Sequence, residues 1–339
     1  MLAQDVRKTD TATDISPVEK LHALVAADMQ AADALIHERL ESAIALIPEL
    51  ARHLVDSGGK RLRPLITLAA ARMGGYRGEG HIHLAAAVEF IHTATLLHDD
   101  VVDESALRRG KVSANLVWGN KPSILVGDFL LSRAFRLMVE TGRLEVLDVL
   151  AGASAIIAEG EVLQLKTAND LSTGEDRYME VIGAKTAALF AAAAEAGAML
   201  ADVSPAYRTA MRDYGENLGI AFQLVDDALD YSGRQALMGK TVGDDFHEGK
   251  VTLPVILAYG RGNERTRKFW KRAIETGPQG GRDLDHAITL VEETGAISDT
   301  VARAREYAAK ACKALETVPA SQLRDVLAAV AGFCVDRAY

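Results

Sequence analysis

The chain has 339 residues, 49% of them hydrophobic and 25% charged, a balance that excludes a disordered or fibrous protein. Thirty-eight basic against 47 acidic side chains leave a net charge of −9, which argues against a general nucleic-acid binder, since phosphate neutralisation needs a basic surface. Two cysteines, Cys312 and Cys334, exclude a disulfide scaffold and a zinc set and suit a reducing cytoplasm.

Only 5% of the residues are aromatic, so Ala, Leu, Val and Ile must fill the core. No proline falls between Pro64 and Pro122 or between Pro122 and Pro205, and such long alanine-rich stretches predict helices. Residues 1–15 read as a polar tail without the apolar run of a signal peptide. Ser16-Pro17-Val18-Glu19 predicts a helix start, with Ser as N-cap, Pro in the first turn and Glu closing a capping box. Leu21, Leu24, Val25, Ala32, Leu35, Ile36 and Leu40 follow at helical spacing. A second helix closes at Gly58-Gly59, and Pro64 opens a third that runs to Gly74-Gly75. Helices are expected from Gly80 through Asp103, from Ser123 to Met138, and around residues 177–202 behind a capping box at Ser172-Thr173-Gly174-Glu175. The most apolar tract, Thr186 to Ala201, contains Glu195 and falls short of a membrane span. Residues 232–250 carry Gly233, Gly239, Gly243 and Gly249 without an apolar period and read as a loop. No strand alternation persists, so residues 16–339 are expected to form one large all-α domain.

Two acidic motifs carry the chemistry. Asp99-Asp100-Val101-Val102-Asp103 places Asp99 and Asp103 one helical turn apart, where they repel each other unless a cation lies between them. Asp226-Asp227-Ala228-Leu229-Asp230 repeats the spacing after another apolar helix. One such motif is a common acidic helix turn; two of them suggest a diphosphate clamped through magnesium, which takes a few carboxylates plus substrate phosphates. Lys60, Arg61 and Arg63 sit at a helix N-terminus, where backbone amides already favour anions. Arg108 and Arg109 follow Asp103 closely; as neighbours on a helix they would diverge by roughly 100° and serve different anions.

The order of these pieces resembles the trans-isoprenyl diphosphate synthase (polyprenyl synthetase) family. Gly58-Gly59-Lys60-Arg61-Leu62-Arg63-Pro64, then His92 to His98 running into the first motif, Arg108-Arg109-Gly110 and Gly183-Ala184-Lys185-Thr186 carry the resemblance. Phe222-Gln223-Leu224-Val225 before the second motif, Gly239-Lys240 and Gly249-Lys250-Val251-Thr252-Leu253-Pro254 complete it. The resemblance implies the isoprenoid synthase fold, a single bundle of antiparallel helices around a central cavity, as a homodimer. It implies a prenyltransferase that condenses isopentenyl diphosphate head-to-tail onto an allylic diphosphate, with about three magnesium ions. Asp99, Asp103 and Asp226 would hold the metal, with Asp100, Asp227 and Asp230 in support. Arg108, Lys185 and Lys240 would bind the allylic diphosphate, and Lys60, Arg63, His92 and Arg109 the isopentenyl diphosphate. Thr186 and Gln223 would line the reacting carbons, and Lys250 would help close the site. Transient membrane contact for product release and a cytoplasmic location fit the same likeness.

His98-Asp99 is also the dyad of metal-dependent phosphohydrolases, but His92 lies on a different face and the second acidic motif would go unexplained. A terpene cyclase would have no need for the Lys60, Arg63 and His92 set. A non-catalytic regulatory subunit typically lacks the acidic motifs that are intact here. Ala94 and Thr95, one turn before Asp99, are small where short-chain relatives place bulky aromatics. A long product, octaprenyl to decaprenyl, is therefore expected for a quinone side chain, with a deeper floor at Phe129, Phe135 or Met138. A farnesyl or geranylgeranyl diphosphate synthase is the alternative.

Overall fold

The computed structural model describes residues 15–232, 243–277 and 280–336. Helix α1 (Pro17–Leu24) begins as its sequence dictates, with the Ser16 and Glu19 side chains capping each other's backbone amides. The chain bends at Val25, so the expected long first helix continues as a separate α2 (Ala26–Arg39). Helix α3 (Leu46–Val55) stops before Gly58-Gly59, and α4 (Leu62–Met73) starts two residues ahead of Pro64. Helix α5 (Gly80–Val102) carries the first acidic motif at its C-terminal end, and Asp103 is its C-cap.

The next turn departs from the helical expectation. Leu107–Arg108 (β1) and Lys111–Val112 (β2) pair as a small antiparallel hairpin, so Arg108 and Arg109 are not on a helix. Arg109 has φ 52° and Gly110 φ 76°, the left-handed pair that closes a two-residue turn. Helices α6 (Ala114–Trp118), α7 (Asn120–Glu140) and α8 (Leu144–Thr167) follow. The capping box expected before α9 (Glu175–Ile182) does not form: Ser172 bonds Asp170 instead, and Gly174 is an N-cap without a side chain to offer.

A π-helical turn at Gly183–Ala187 joins α9 to α10 (Ala188–Met199). The run from Glu175 to Met199 is long and apolar enough to cross a membrane, more so than the sequence alone suggests, but 67% of its apolar window is buried within the fold. That apolarity therefore serves a central core helix rather than a lipid-facing one. Helix α11 (Pro205–Asp230) carries the second acidic motif at its C-terminal end. Beyond residues 233–242, which lie outside the described residues together with Lys240, come the short α12 (Asp244–His247), α13 (Leu253–Arg261) and α14 (Glu264–Trp270). Helices α15 (Arg282–Glu293), α16 (Ala296–Ala314) and α17 (Gln322–Asp336) complete the chain.

The core is built from small and aliphatic side chains, as the low aromatic content requires. Helix α10 packs against α4, α8 and α11, and α5 against α7. Such close approaches need alanine and glycine at the contacts. The consequence for the site is geometric: Lys185 on the π turn and Lys250 beyond α12 line a cavity with Asp227 of the second motif and also reach Asp99 and Asp103 of the first.

Candidate active site

Both acidic motifs lie at helix C-termini, where the backbone dipole already concentrates negative charge. Carboxylates placed there need cations. Asp99 has Lys185 Nζ at 3.7 Å, and Asp103 has Lys250 Nζ at 2.9 Å. Asp100 points the other way, fully buried, and its Oδ1 accepts from both Nε and a terminal nitrogen of Arg108 at 2.7 Å. The second motif divides in the same manner. Asp226 is exposed, whereas Asp227 accepts from the Tyr178 hydroxyl at 2.6 Å and from Gln223 Nε2 at 2.7 Å. Asp230 accepts the backbone N–H groups of Gly243 (3.2 Å) and Asp245 (3.1 Å), and so tethers the start of α12.

Each motif thus leaves some carboxylates exposed or paired with a lysine and commits others to partners within the protein. Burial pushes the Asp227 carboxyl up to about 7 and that of Asp230 up to about 6, against the hydrogen bonds that would lower them. Burial also raises Asp245 well above the carboxylate range, helped by Asp230 and Asp227. Burial opposes the charge of Lys250, but Asp245, Asp103 and Glu248 outweigh it and hold the ammonium above its ordinary range.

Among the described residues no three carboxylates or imidazoles converge to hold an ion unaided. The donor set nevertheless suits magnesium, a hard cation that takes one or two carboxylates and completes its shell with waters and substrate phosphates. Asp99 and Asp103 on α5 and Asp226 on α11 are the carboxylates not committed to a buried partner.

The basic residues gather two turns earlier along α5, around His92. Arg63, in the first turn of α4, stacks on the Phe190 ring at 4.2 Å and lies 3.3 Å from His92 Nε2. Burial lowers the Arg63 guanidinium to about 10, which Glu89 opposes, and lowers His92 well below its usual range, with Arg63, Arg109, Arg108 and Arg61 adding to the effect. His92 is therefore a neutral imidazole among cations. Arg109 reaches back from the hairpin to donate to the Gly58 carbonyl. Gly59 permits this: its φ is +138°, and a Cβ there would lie 3.0 Å from the Arg109 guanidinium carbon. Lys60 sits over the Phe333 ring at 5.7 Å. Consecutive arginines on the hairpin thus serve different sets, Arg108 the acidic one and Arg109 the basic one. A helix was expected to produce that divergence; the alternation of a strand and its turn supplies it.

Lys185 and Thr186 stand on the π turn, whose extra residue bulges them toward α8 and α11. Gly160 on α8 makes room, since a Cβ there would meet the Ala184 Cβ at 2.8 Å and the Lys185 nitrogen at 2.9 Å. Lys185 then bonds Glu161 at 2.8 Å, and Thr186 donates to Gln223 Oε1 at 2.8 Å. Glu161, Glu89, Tyr178, Asp245 and Glu248 are not legible as site residues in the sequence, because none belongs to a paired motif. A glycine-glutamate pair at Gly160-Glu161 is the single local hint.

Along α5, Ala94 is fully buried and the Thr95 hydroxyl bonds the His92 carbonyl. Of the expected floor residues, Met138 is fully buried and Phe129 lies under Arg133, but Phe135 is 43% exposed and faces outward. Phe135 is withdrawn as a floor, because its position on α7 is turned away from α5. His98 approaches the Ile124 carbonyl at 3.2 Å, away from a shared site with His92.

The sequence pattern of polyprenyl synthetases matches residues 44–291. The chain belongs to the polyprenyl synthetase family. It is 47% identical to the octaprenyl diphosphate synthase of Escherichia coli (strain K12) over 320 residues, 94% of this chain and 99% of that one. A polyprenyl synthase from Caulobacter crescentus CB15, solved with calcium and isoprenyl diphosphate, superposes with a TM-score of 0.93 at 53% identity, covering 96% of this chain and 99% of that one. A decaprenyl diphosphate synthase from Rhodobacter capsulatus superposes with a TM-score of 0.92, again at 53% identity, covering 95% of this chain and all of that one (100%). This polyprenyl synthetase is accordingly a prenyltransferase of the all-α isoprenoid synthase fold, in a family that depends on magnesium and acts on prenyl diphosphates.

Proposed function

We propose that this polyprenyl synthetase is a long-chain trans-polyprenyl diphosphate synthase, adding isopentenyl diphosphate repeatedly to an allylic diphosphate until octaprenyl to decaprenyl length. The carrying observation is the division of charge along α5. Carboxylates with paired lysines lie at the C-terminal end of α5, a basic set that is half-buried at Arg63 and His92 and exposed at Lys60 and Arg109 lies two turns earlier, and the small residues Ala94 and Thr95 stand between them along the helix.

The allylic diphosphate occupies the acidic side, with Lys185, Lys240 and Arg108 on its oxygens. Asp99, Asp103 and Asp226 would hold about three magnesium ions, which would supply the charge neutralisation for a leaving diphosphate. Isopentenyl diphosphate occupies Lys60, Arg63, His92 and Arg109, which hold a diphosphate that stays. As the allylic C–O bond breaks, Lys185 stays with the departing oxygens, and preorganised charge of this kind is usually the largest catalytic contribution. The isopentenyl double bond attacks the cationic carbon beside Thr186 and Gln223, and the proton lost goes to the released diphosphate. The apolar walls of α5, α7 and α10 exclude the water that would quench the cation.

The reading includes a homodimer built on α6, α7 and α8, which expose Leu116, Val117, Ile124, Leu125, Phe135, Val139, Ile156, Val162 and Leu165. It includes a single catalytic domain from residue 16 behind a polar tail, a cytoplasmic location, passing membrane contact at product release, and a quinone side chain as destination. Labelled isopentenyl diphosphate with farnesyl diphosphate and magnesium, followed by chromatography of the dephosphorylated products, tests the function. Products of octaprenyl to decaprenyl length are expected; a farnesyl or geranylgeranyl product, or none, would overturn the reading.

A further inference from the structure

Thr186, Gln223, Asp227 and Tyr178 line one cavity together with Lys185 and Lys250, and the four are joined in a single hydrogen-bonded chain. Thr186 Oγ1 donates to Gln223 Oε1 at 2.8 Å, Gln223 Nε2 donates to Asp227 Oδ1 at 2.7 Å, and the Tyr178 hydroxyl donates to Asp227 Oδ2 at 2.6 Å. Gln223 and Asp227 are one turn apart on α11, and Tyr178 arrives from α9, 49 residues earlier. Tyr178 is 3% exposed and Asp227 2%.

The direction of this chain follows from what each group can do. Both Asp227 oxygens face a donor, Oδ2 the Tyr178 hydroxyl and Oδ1 the Gln223 amide nitrogen, so the carboxyl accepts from each. A glutamine amide has nearly the same shape in its two flipped forms, so its partner decides which end faces where. Asp227 takes the amide nitrogen, which turns Gln223 Oε1 toward Thr186. Thr186 has one hydroxyl hydrogen and commits it to that oxygen. Between these four residues, the oxygens left on this wall with free lone pairs toward the cavity are Gln223 Oε1 and Thr186 Oγ1, beside the ammonium groups of Lys185 and Lys250. A flipped amide would present N–H groups and release the threonine hydroxyl.

We propose that Tyr178 and Asp227 are positioning residues that set the polarity of this wall, so that lone pairs of Gln223 and Thr186 face the carbon that becomes positive. The proposal rests on the prenyl-transfer reading above. It gives Asp227 a task different from that of its neighbour Asp226, because both Asp227 oxygens are occupied from within the protein. It also gives Tyr178, which belongs to no motif, a reason to be a tyrosine rather than a phenylalanine. The lone pairs are placed before the cation forms, so they stabilise it without reorganisation.

The test compares wild type with Asp227→Asn and Tyr178→Phe. The asparagine keeps the volume but can donate to Gln223 Oε1, which permits the flip. For the first condensation kcat should fall on the order of 10²-fold in Asp227→Asn, as for a small misplacement beside the chemistry. In Tyr178→Phe it should fall about tenfold, for one lost hydrogen bond to a charged group. KM for both diphosphates and calcium affinity by calorimetry should stay unchanged. In the substrate-free protein, the ¹H–¹⁵N side-chain amide signal of Gln223, assigned by its loss in Gln223→Leu, should shift in both variants. Unchanged kcat and an unmoved amide signal in Tyr178→Phe would overturn the proposal, as would weakened calcium binding in Asp227→Asn, which would make Asp227 a metal ligand. The amide signal and calorimetry need no turnover, so a wild type unable to couple the two diphosphates would sink the functional reading instead.

Discussion

Lys250 Nζ lies 2.9 Å from a carboxylate oxygen of Asp103, across 147 residues of sequence. Asp103 caps the C-terminal end of α5, where the helix dipole adds to its charge, so the lysine occupies the place in the potential that suits a metal ion. The same ammonium also contacts Glu248, one side of the turn that follows α12.

The ammonium and a divalent cation therefore compete for Asp103. Lys250→Met should bind magnesium alone up to about tenfold more tightly, the equivalent of ~1.4 kcal/mol. Isothermal titration without substrate measures this, and an unchanged or weaker affinity would contradict the competition.

Activity should require a divalent cation and disappear in excess chelator. Asp99→Ala and Asp226→Ala should each lower kcat/KM on the order of 10²- to 10³-fold, since a leaving diphosphate loses its charge stabilisation. Steady-state rates at saturating magnesium decide it; near-normal turnover in either variant would remove the metal role.

The two hairpin arginines should separate in a stability experiment. Arg108→Ala strands the fully buried Asp100 without its partner, which typically costs about 3–5 kcal/mol. Arg109 is exposed, and its alanine variant should leave thermal stability nearly intact while raising KM for isopentenyl diphosphate. Equal melting temperatures for the two variants would mean that the Asp100 pairing is not structural.

Product length should respond to Ala94. A phenylalanine there would stand one turn below Asp99, in the space between α5 and α7, and should shorten the product to farnesyl or geranylgeranyl length while the first condensation continues. Its overpacking penalty is about 1–3 kcal/mol, small enough for the variant to fold. An unchanged product distribution by chromatography would refute this direction for the tunnel.

The buried carboxyls predict a pH dependence of stability without metal. Burial raises Asp227 to about 7 and Asp230 to about 6 in the folded chain, from 3.8 when unfolded. Between those values the folded state binds more protons than the unfolded one, so stability falls as pH rises and levels off above about 7. Thermal melts in chelator from pH 5 to 8 should follow that course, with a shallower fall in Asp227→Asn. A melting temperature that rises over the same range would show that these groups are ionised at little cost.

Local geometry is legible in the amino-acid order. The Ser16 cap, the helical runs and the four-residue spacing of Asp99 with Asp103 and Asp226 with Asp230 all depend on neighbours a few residues away. The capping box that fails to form at Ser172 shows the limit even there, since Asp170 competes for the same hydroxyl. Arg108 and Arg109 diverge as expected, but through a hairpin that requires β1 to find β2. Phe135 does not form a floor, because one helix cannot tell which of its faces another will cover.

The sequence by itself determined that the chain is helical, that two acidic motifs end apolar helices, and that basic residues precede α4, because periodicity, caps and charge order are written in adjacent residues. Only the tertiary structure decided which aspartates stay exposed or pair with a lysine and which are buried with Arg108, Tyr178, Gln223 or the start of α12. A motif lists carboxylates that are chemically alike. Their desolvation and their partners come from segments as far apart as α5 and α12, and only folding brings those segments within hydrogen-bonding reach.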